Sequence, residues 1–125
     1  MRQAWITRAD LQANPDRVYL FGDNLLRIGM GGQAGAMRGE PNAIGVATKK
    51  APGMADRDFF TDAEYSANCA QIDHDLTRAF EAKTRGRVIV IPSDGLGTGL
   101  SEMPTRCPRT LEYLNGRLAE LEDVK

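Results

Sequence analysis

The sequence predicts an α/β protein with three layers, α/β/α, around a mixed, largely parallel sheet. Two observations carry that reading. The apolar runs at 18–21, 42–48 and 87–92 are continuous rather than alternating, as strands covered on both faces require. Stretches of helical periodicity alternate with them in chain order, which is the pattern of a parallel sheet joined by crossover helices. At 125 residues the chain fits one domain, 1–125, with enough surface to bury one core.

Each element follows from local chemistry. Residues 3–7 read as a short strand, with Trp5 in the core, and Thr7-Arg8-Ala9-Asp10 offers a hydroxyl cap for a short helix closed by Asn14-Pro15. Val18 to Phe21 is the next strand. A glycine-rich stretch then leads into a short helix ended by Gly39 and Glu40-Pro41, and 42–48 forms a further strand. Residues 49–60, rich in Pro, Gly, Asp and Lys, read as a long loop, and loops of that length in compact domains are commonly functional. Thr61-Asp62-Ala63-Glu64 has the form of a capping box, after which Tyr65, Cys69, Ile72, Leu76, Ala79 and Phe80 mark one helix face up to about Lys83. Residues 87–92 make the clearest strand. A last helix, marked by Leu111, Leu114, Leu118 and Leu121, starts near Thr105 so that Pro108 falls in its first turn.

Composition excludes several classes. Sixteen Lys and Arg against seventeen Asp and Glu leave a net charge of −1, so charge offers no attraction to nucleic acid or an anionic membrane. No apolar run approaches the roughly 18 residues of a membrane span, and no charged-then-apolar leader opens the sequence, so the expected location is cytoplasmic. Cys69, Cys107 and the lone His74 lack metal-ligand spacing; the cysteines read as packing residues and His74 as a solvated helix residue.

The chemistry concentrates in two glycine-rich loops. Gly29, Gly31, Gly32 and Gly35 follow one strand, and Ser93-Asp94-Gly95-Leu96-Gly97-Thr98-Gly99-Leu100 follows another. In α/β sheets ligands gather at the C-terminal strand ends, and glycine leaves the backbone bare so that successive N–H groups converge on an anion. Neither loop is a Walker or G-x-G-x-x-G motif, which argues against a P-loop kinase or a conventional dehydrogenase. What remains is a crevice between two backbone loops, suited to a diphosphate held by amides, or else two turns that serve only the fold.

Phe21-Gly22-Asp23-Asn24, Val46-Ala47-Thr48-Lys49-Lys50 and Ile91-Pro92 followed by Gly97-Thr98-Gly99-Leu100 resemble, in this order, the ligand-binding segments of macrodomains. The likeness is greatest to the branch with the terminal ADP-ribose protein glycohydrolase and the DNA ADP-ribosyl glycohydrolase antitoxins, and it runs over 18–120. It implies a macrodomain-like domain in which Asn24 orients the distal ribose. Gly31, Gly32, Gly97, Thr98, Gly99 and Leu100 would wrap diphosphate and ribose, with Asp23, Gln33, Thr48 and Ser93 beside them. Lys49 matches the lysine that attacks the anomeric carbon, and a nearby cation such as Lys50 would help to lower its pKa. Without the resemblance, Lys49 and Lys50 read as solvated strand-end lysines. In that branch an aspartate follows the second loop as acid and base, whereas here Ser101 stands there, and a serine does not transfer protons at neutral pH. Glu102, one step on, and Asp94 are the carboxylates that would replace it, with Asp23 a further one. Many macrodomains carry a final strand where this sequence stops, just after its last helix.

Two functions stay open at this stage. One is an ADP-ribosyl glycohydrolase acting through Lys49, with an ADP-ribosylated protein or nucleic acid as substrate. The other is a non-catalytic module that binds ADP-ribose or a related nucleotide, sequestering a signal or reading ADP-ribosylated targets. Neither calls for a cofactor, a metal or a membrane.

Overall fold

The structure is a computed structural model that describes residues 1–123. Four strands, β1 (Arg2–Gln3), β2 (Val18–Asn24), β3 (Ala43–Lys49) and β4 (Ile89–Pro92), form a sheet of order β1-β4-β2-β3 in which every strand pair is parallel. The α/β class and the parallel pairing are as the continuous apolar runs predict, but the sheet is wholly parallel rather than mixed. Among the described residues the one antiparallel pairing is an isolated bridge between Lys49 and Phe59.

Helices cover both faces. Strand β2 alternates its side chains between them: Tyr19 and Phe21 pack with Leu11 of α1 (Arg8–Ala13) and Met37 of α2 (Ala34–Met37). Val18 and Leu20 face the larger cluster, with Ile72 and Leu76 of α3 (Tyr65–Thr84) and Leu114 and Leu118 of α5 (Pro108–Asp123). A buried Leu or Ile contributes about 1.5–3 kcal/mol, so this face holds most of the fold's hydrophobic stabilisation. Cys69 and Cys107 are buried and free, and His74 is exposed. No helix among the described residues is long and apolar enough to cross a membrane.

Three local expectations change. Strand β1 is only two residues long, and Trp5, expected in the core, is 92% exposed. Thr61 caps nothing; residues Asp62–Glu64 form a single 3-10 turn, and the Asp62 carboxylate instead accepts the N–H groups of Arg109 and Thr110 at the start of α5. Asp62 is thus the cap of a helix distant in sequence, which a local motif does not reveal. The last helix begins at Pro108 rather than near Thr105, because α4 (Met103–Arg106) is a separate turn that breaks at Cys107. Proline at a first helical position costs no hydrogen bond, which explains the break point.

In this topology the chain leaves β2 toward β3 on one side, while β4 lies on its other side. The loops after β2 and β4 therefore diverge at the C-terminal edge of the sheet, the place where open α/β sheets present a crevice.

Candidate functional site

That edge opens into a cavity of about 490 Å³. Residues 31–33 wall it on one side and 92–101 on another, residues 3–6 close a third, and Gly22 forms the floor. A smaller recess of about 90 Å³ adjoins it, shares Gly22, Gly31, Leu100 and Ser101, and adds Asn24, Arg38 and Lys49. Both glycine-rich loops predicted from the sequence thus meet across one hollow. At the opposite end of the strands, a hollow of about 180 Å³ lined by Val18, Arg78, Arg85 and Arg87 gathers none of the expected residues.

Bare backbone has a steric cause at two positions, Gly97 in the second loop and Gly22 in β2. A Cβ on Gly97 would lie 2.1 Å from Met103 Sδ, and the residue's φ of +81° is one that side chains resist. At Gly22 a Cβ would press on Thr48 Oγ1 at 3.3 Å and approach the Gly97 nitrogen at 3.7 Å, so the floor and the second loop pack backbone to backbone. The consequence is a set of unspent donors. Among the described residues, the main-chain N–H groups of Gly31, Gly32 and Gln33, and those from Gly97 to Ser101, donate to no protein acceptor. Free amides along the walls of a hollow are the raw material of an anion cradle.

Asn24 and Lys49 come together as register partners where β2 and β3 end. A bulge skips Thr48, since Asp23 pairs with Ala47 and Asn24 with Lys49. Thr48 is fully buried, lies 2.5 Å from Ser101 Oγ and donates to the Asp23 carbonyl, so it straps the second loop to the sheet and lines neither hollow. Ser101, standing where a carboxylate was expected, is the other half of that strap. Asn24 spends its amide locally: Nδ2 donates to the Ile28 carbonyl at 2.8 Å and Oδ1 accepts from the Leu26 N–H at 3.0 Å.

The carboxylates are placed differently from one another. Asp23 is buried and clamped by Arg38 at 2.5 and 3.2 Å, with Arg27 at 3.6 Å, so it is an ion-pair anchor rather than a free acid. Asp94 is exposed on the rim of the large cavity, away from the recess that holds Lys49. Glu102 lines neither hollow and pairs with Arg106 at 3.0 Å. Ser93 and Thr98 stand exposed on the large cavity's wall, as do Gly99 and Leu100.

Lys49 is only 6% exposed. Its Nζ donates to the Gly53 carbonyl at 2.7 Å and sits 4.3 Å from the centroid of Phe59, whose ring also carries the Arg106 guanidinium at 3.7 Å. Burial pushes the Lys49 ammonium below its ordinary pKa; the carboxylates of Asp58 and Glu102 pull it back in part, and Arg106 adds to the lowering. The cation nearest in effect is Arg106, while Lys50 points to Glu64 at 2.5 Å. The sequence alone did not mark Asp58, Phe59, Arg106 or Arg38. Arg38 donates to the Gly29 and Ile28 carbonyls as well as to Asp23, and so fixes the first loop to the sheet.

A family model described as a family of unknown function (DUF7831) matches residues 1–117. No curated protein and no solved structure matches the chain.

Proposed function

Because the chain belongs to DUF7831, whose description names no activity, we propose from the site itself that it binds ADP-ribose or a related nucleotide in the crevice between its two glycine-rich loops. The observation that supports this best is the cavity of about 490 Å³ bordered by free main-chain donors from both loops. A diphosphate fits such a cradle because it presents several acceptor oxygens and draws on backbone dipoles, and no basic surface is needed. The macrodomain resemblance adds the order of the segments and the pairing of Asn24 with Lys49 at the strand ends. Calorimetric titration with ADP-ribose, AMP and NAD tests the reading. Micromolar binding of ADP-ribose is the expected result, and absence of binding by all three overturns it.

A second reading, hydrolysis of an ADP-ribosyl linkage, is favoured by one specific observation: Lys49 is desolvated beside the recess and held below its ordinary pKa. A neutral amine is a nucleophile and an ammonium is not, so turnover through Lys49 rises with pH and levels off below the pKa of a solvated lysine. Lys49→Arg keeps the charge and removes the nucleophile, and it is expected to retain binding and lose turnover. Unchanged turnover in that variant rejects the lysine mechanism. The carboxylates whose charges reach Lys49 are Asp58 and Glu102 rather than Asp94; neither lines the recess, so one of them would have to turn into it to transfer a proton. Where no turnover is seen in either protein, the chain acts as a binding module for free nucleotide or ADP-ribosylated targets, in keeping with Ser101 serving as a strap.

A further inference from the structure

The proposed ligand leaves one part of the large cavity unexplained. Its third side is the connection from β1 to α1, and the residue there is the chain's only tryptophan. Trp5 has a φ of +54° and is 92% exposed. Single exposed apolar residues are ordinary, but a bulky side chain held in the left-handed region is a true outlier and is strained. The arch that imposes this conformation is anchored on both sides. Gln3 accepts the Ser93 N–H at 3.1 Å, Ile6 is buried, and Thr7 caps α1. The strain therefore holds an indole at the rim of the cavity.

A second observation lies on the first loop. The Gln33 Oε1 is buried without any hydrogen-bond partner among the described residues, and Gln33 lines the same cavity. A buried acceptor left unpaired is destabilising, and it repels rather than binds a phosphate oxygen. Its natural complement is a group that brings a donor.

We infer that Trp5 and Gln33 form a nucleobase subsite, in which the indole stacks on the ring and the Gln33 carboxamide reads an adenine edge. A carboxamide pairs with adenine through its exocyclic amine and the adjacent ring nitrogen, a donor and an acceptor side by side. On that N6/N7 edge hypoxanthine presents two acceptors, a carbonyl and N7, side by side and leaves Gln33 Oε1 unpaired. This inference rests on the nucleotide reading above and assigns the residues that would choose the base.

The lone tryptophan makes the test direct, since all indole fluorescence reports this position. Wild type, Trp5→Phe, Trp5→Ala and Gln33→Leu are titrated with ADP-ribose, its inosine analogue and ribose 5-phosphate, by fluorescence for wild type and calorimetry for all. ADP-ribose is expected to quench Trp5 and ribose 5-phosphate to leave it unchanged. Base stacking is worth about 1–3 kcal/mol, so Trp5→Ala weakens ADP-ribose binding by about 5- to 150-fold, and Trp5→Phe recovers most of the loss. Gln33→Leu narrows the preference for ADP-ribose over the inosine analogue. Binding to wild type without quenching, or equal affinity in wild type and Trp5→Ala, overturns the subsite while leaving the nucleotide reading intact. No binding of ADP-ribose to wild type overturns both. Trp5 contributes nothing to the core, so unchanged melting of Trp5→Ala separates a lost contact from a lost fold.

Discussion

At the scale of single residues, strain collects where the strands open. Only Trp5, Arg27 and Glu102, at φ of +54°, +58° and +49°, are non-glycine residues with positive φ among those described, and each lies on a loop leaving the C-terminal end of β1, β2 or β4. Such strain clusters at sites where geometry matters more than stability. Trp5→Gly is accordingly expected to raise stability by about 1 kcal/mol, read as a higher urea midpoint at unchanged slope, while it removes the indole. A lower midpoint would show that the indole contributes packing its exposure conceals. The two glycine loops and their places after strands were legible in the sequence, whereas Asn24 and Lys49 were singled out only by the macrodomain resemblance; read from its own neighbours Lys49 was a solvated strand-end lysine, and the fold buries it instead. Trp5 was misassigned to the core, since an apolar residue between Ala4 and Ile6 carries no mark of a left-handed turn. Arg38 and Asp58 went unread because their partners, Asp23 and the Lys49 end of β3, are brought to them only by the fold.

At the scale of elements, Asp62 shows how a local motif misleads. Burial would raise its pKa, but the N–H groups of Arg109 and Thr110 and the Thr110 hydroxyl, with the Arg109 charge, hold it below the ordinary carboxylate range. Asp62→Ala removes this cap of α5 and is expected to cost about 1 kcal/mol at neutral pH. The sign of the pH effect follows from the lowered value. In acid the unfolded chain takes up the Asp62 proton first, so the contribution is complete above about pH 4 and is lost as pH falls through the lower folded value. Denaturation of both proteins from pH 7 to pH 2 should show the gap between them closing in acid; a constant gap would mean that packing, not the ionised cap, supports the helix. The strands 18–21 and 87–92 and the helical stripe of α3 were legible because burial on a face imposes a pattern on the chain. The start of α5 was not, because its cap lies 46 residues before Pro108 (108 − 62) and its preceding turn is set by Gly97 accepting the Met103 N–H.

At the scale of the whole molecule, the sheet order brings two loops distant in sequence to the two sides of β2, and the charge balance then decides how they hold a ligand. The net charge is −1, and among the described residues the large cavity's lining includes one carboxylate, Asp94, and no Lys or Arg. A nucleotide diphosphate bound there is held by main-chain dipoles at hydrogen-bond range, with little attraction over longer distances. Salt screens charges that lie beyond about 10 Å at 0.1 M and about 3 Å at 1 M, so it has little to weaken in such a contact. The dissociation constant for ADP-ribose is therefore expected to change by less than about threefold between 50 and 500 mM NaCl, whereas proteins that neutralise phosphates with several cations lose orders of magnitude over a smaller range. A steep loss would transfer the phosphate to the cations of the adjoining recess, Lys49 and Arg38. Arg38 would then have to release Asp23, its buried partner at 2.5 Å, and the first loop with it. Weak salt dependence together with intact binding in Lys49→Gln, which removes the charge, is what a cradle of backbone amides requires, and a ligand held by side-chain charge does not give that combination.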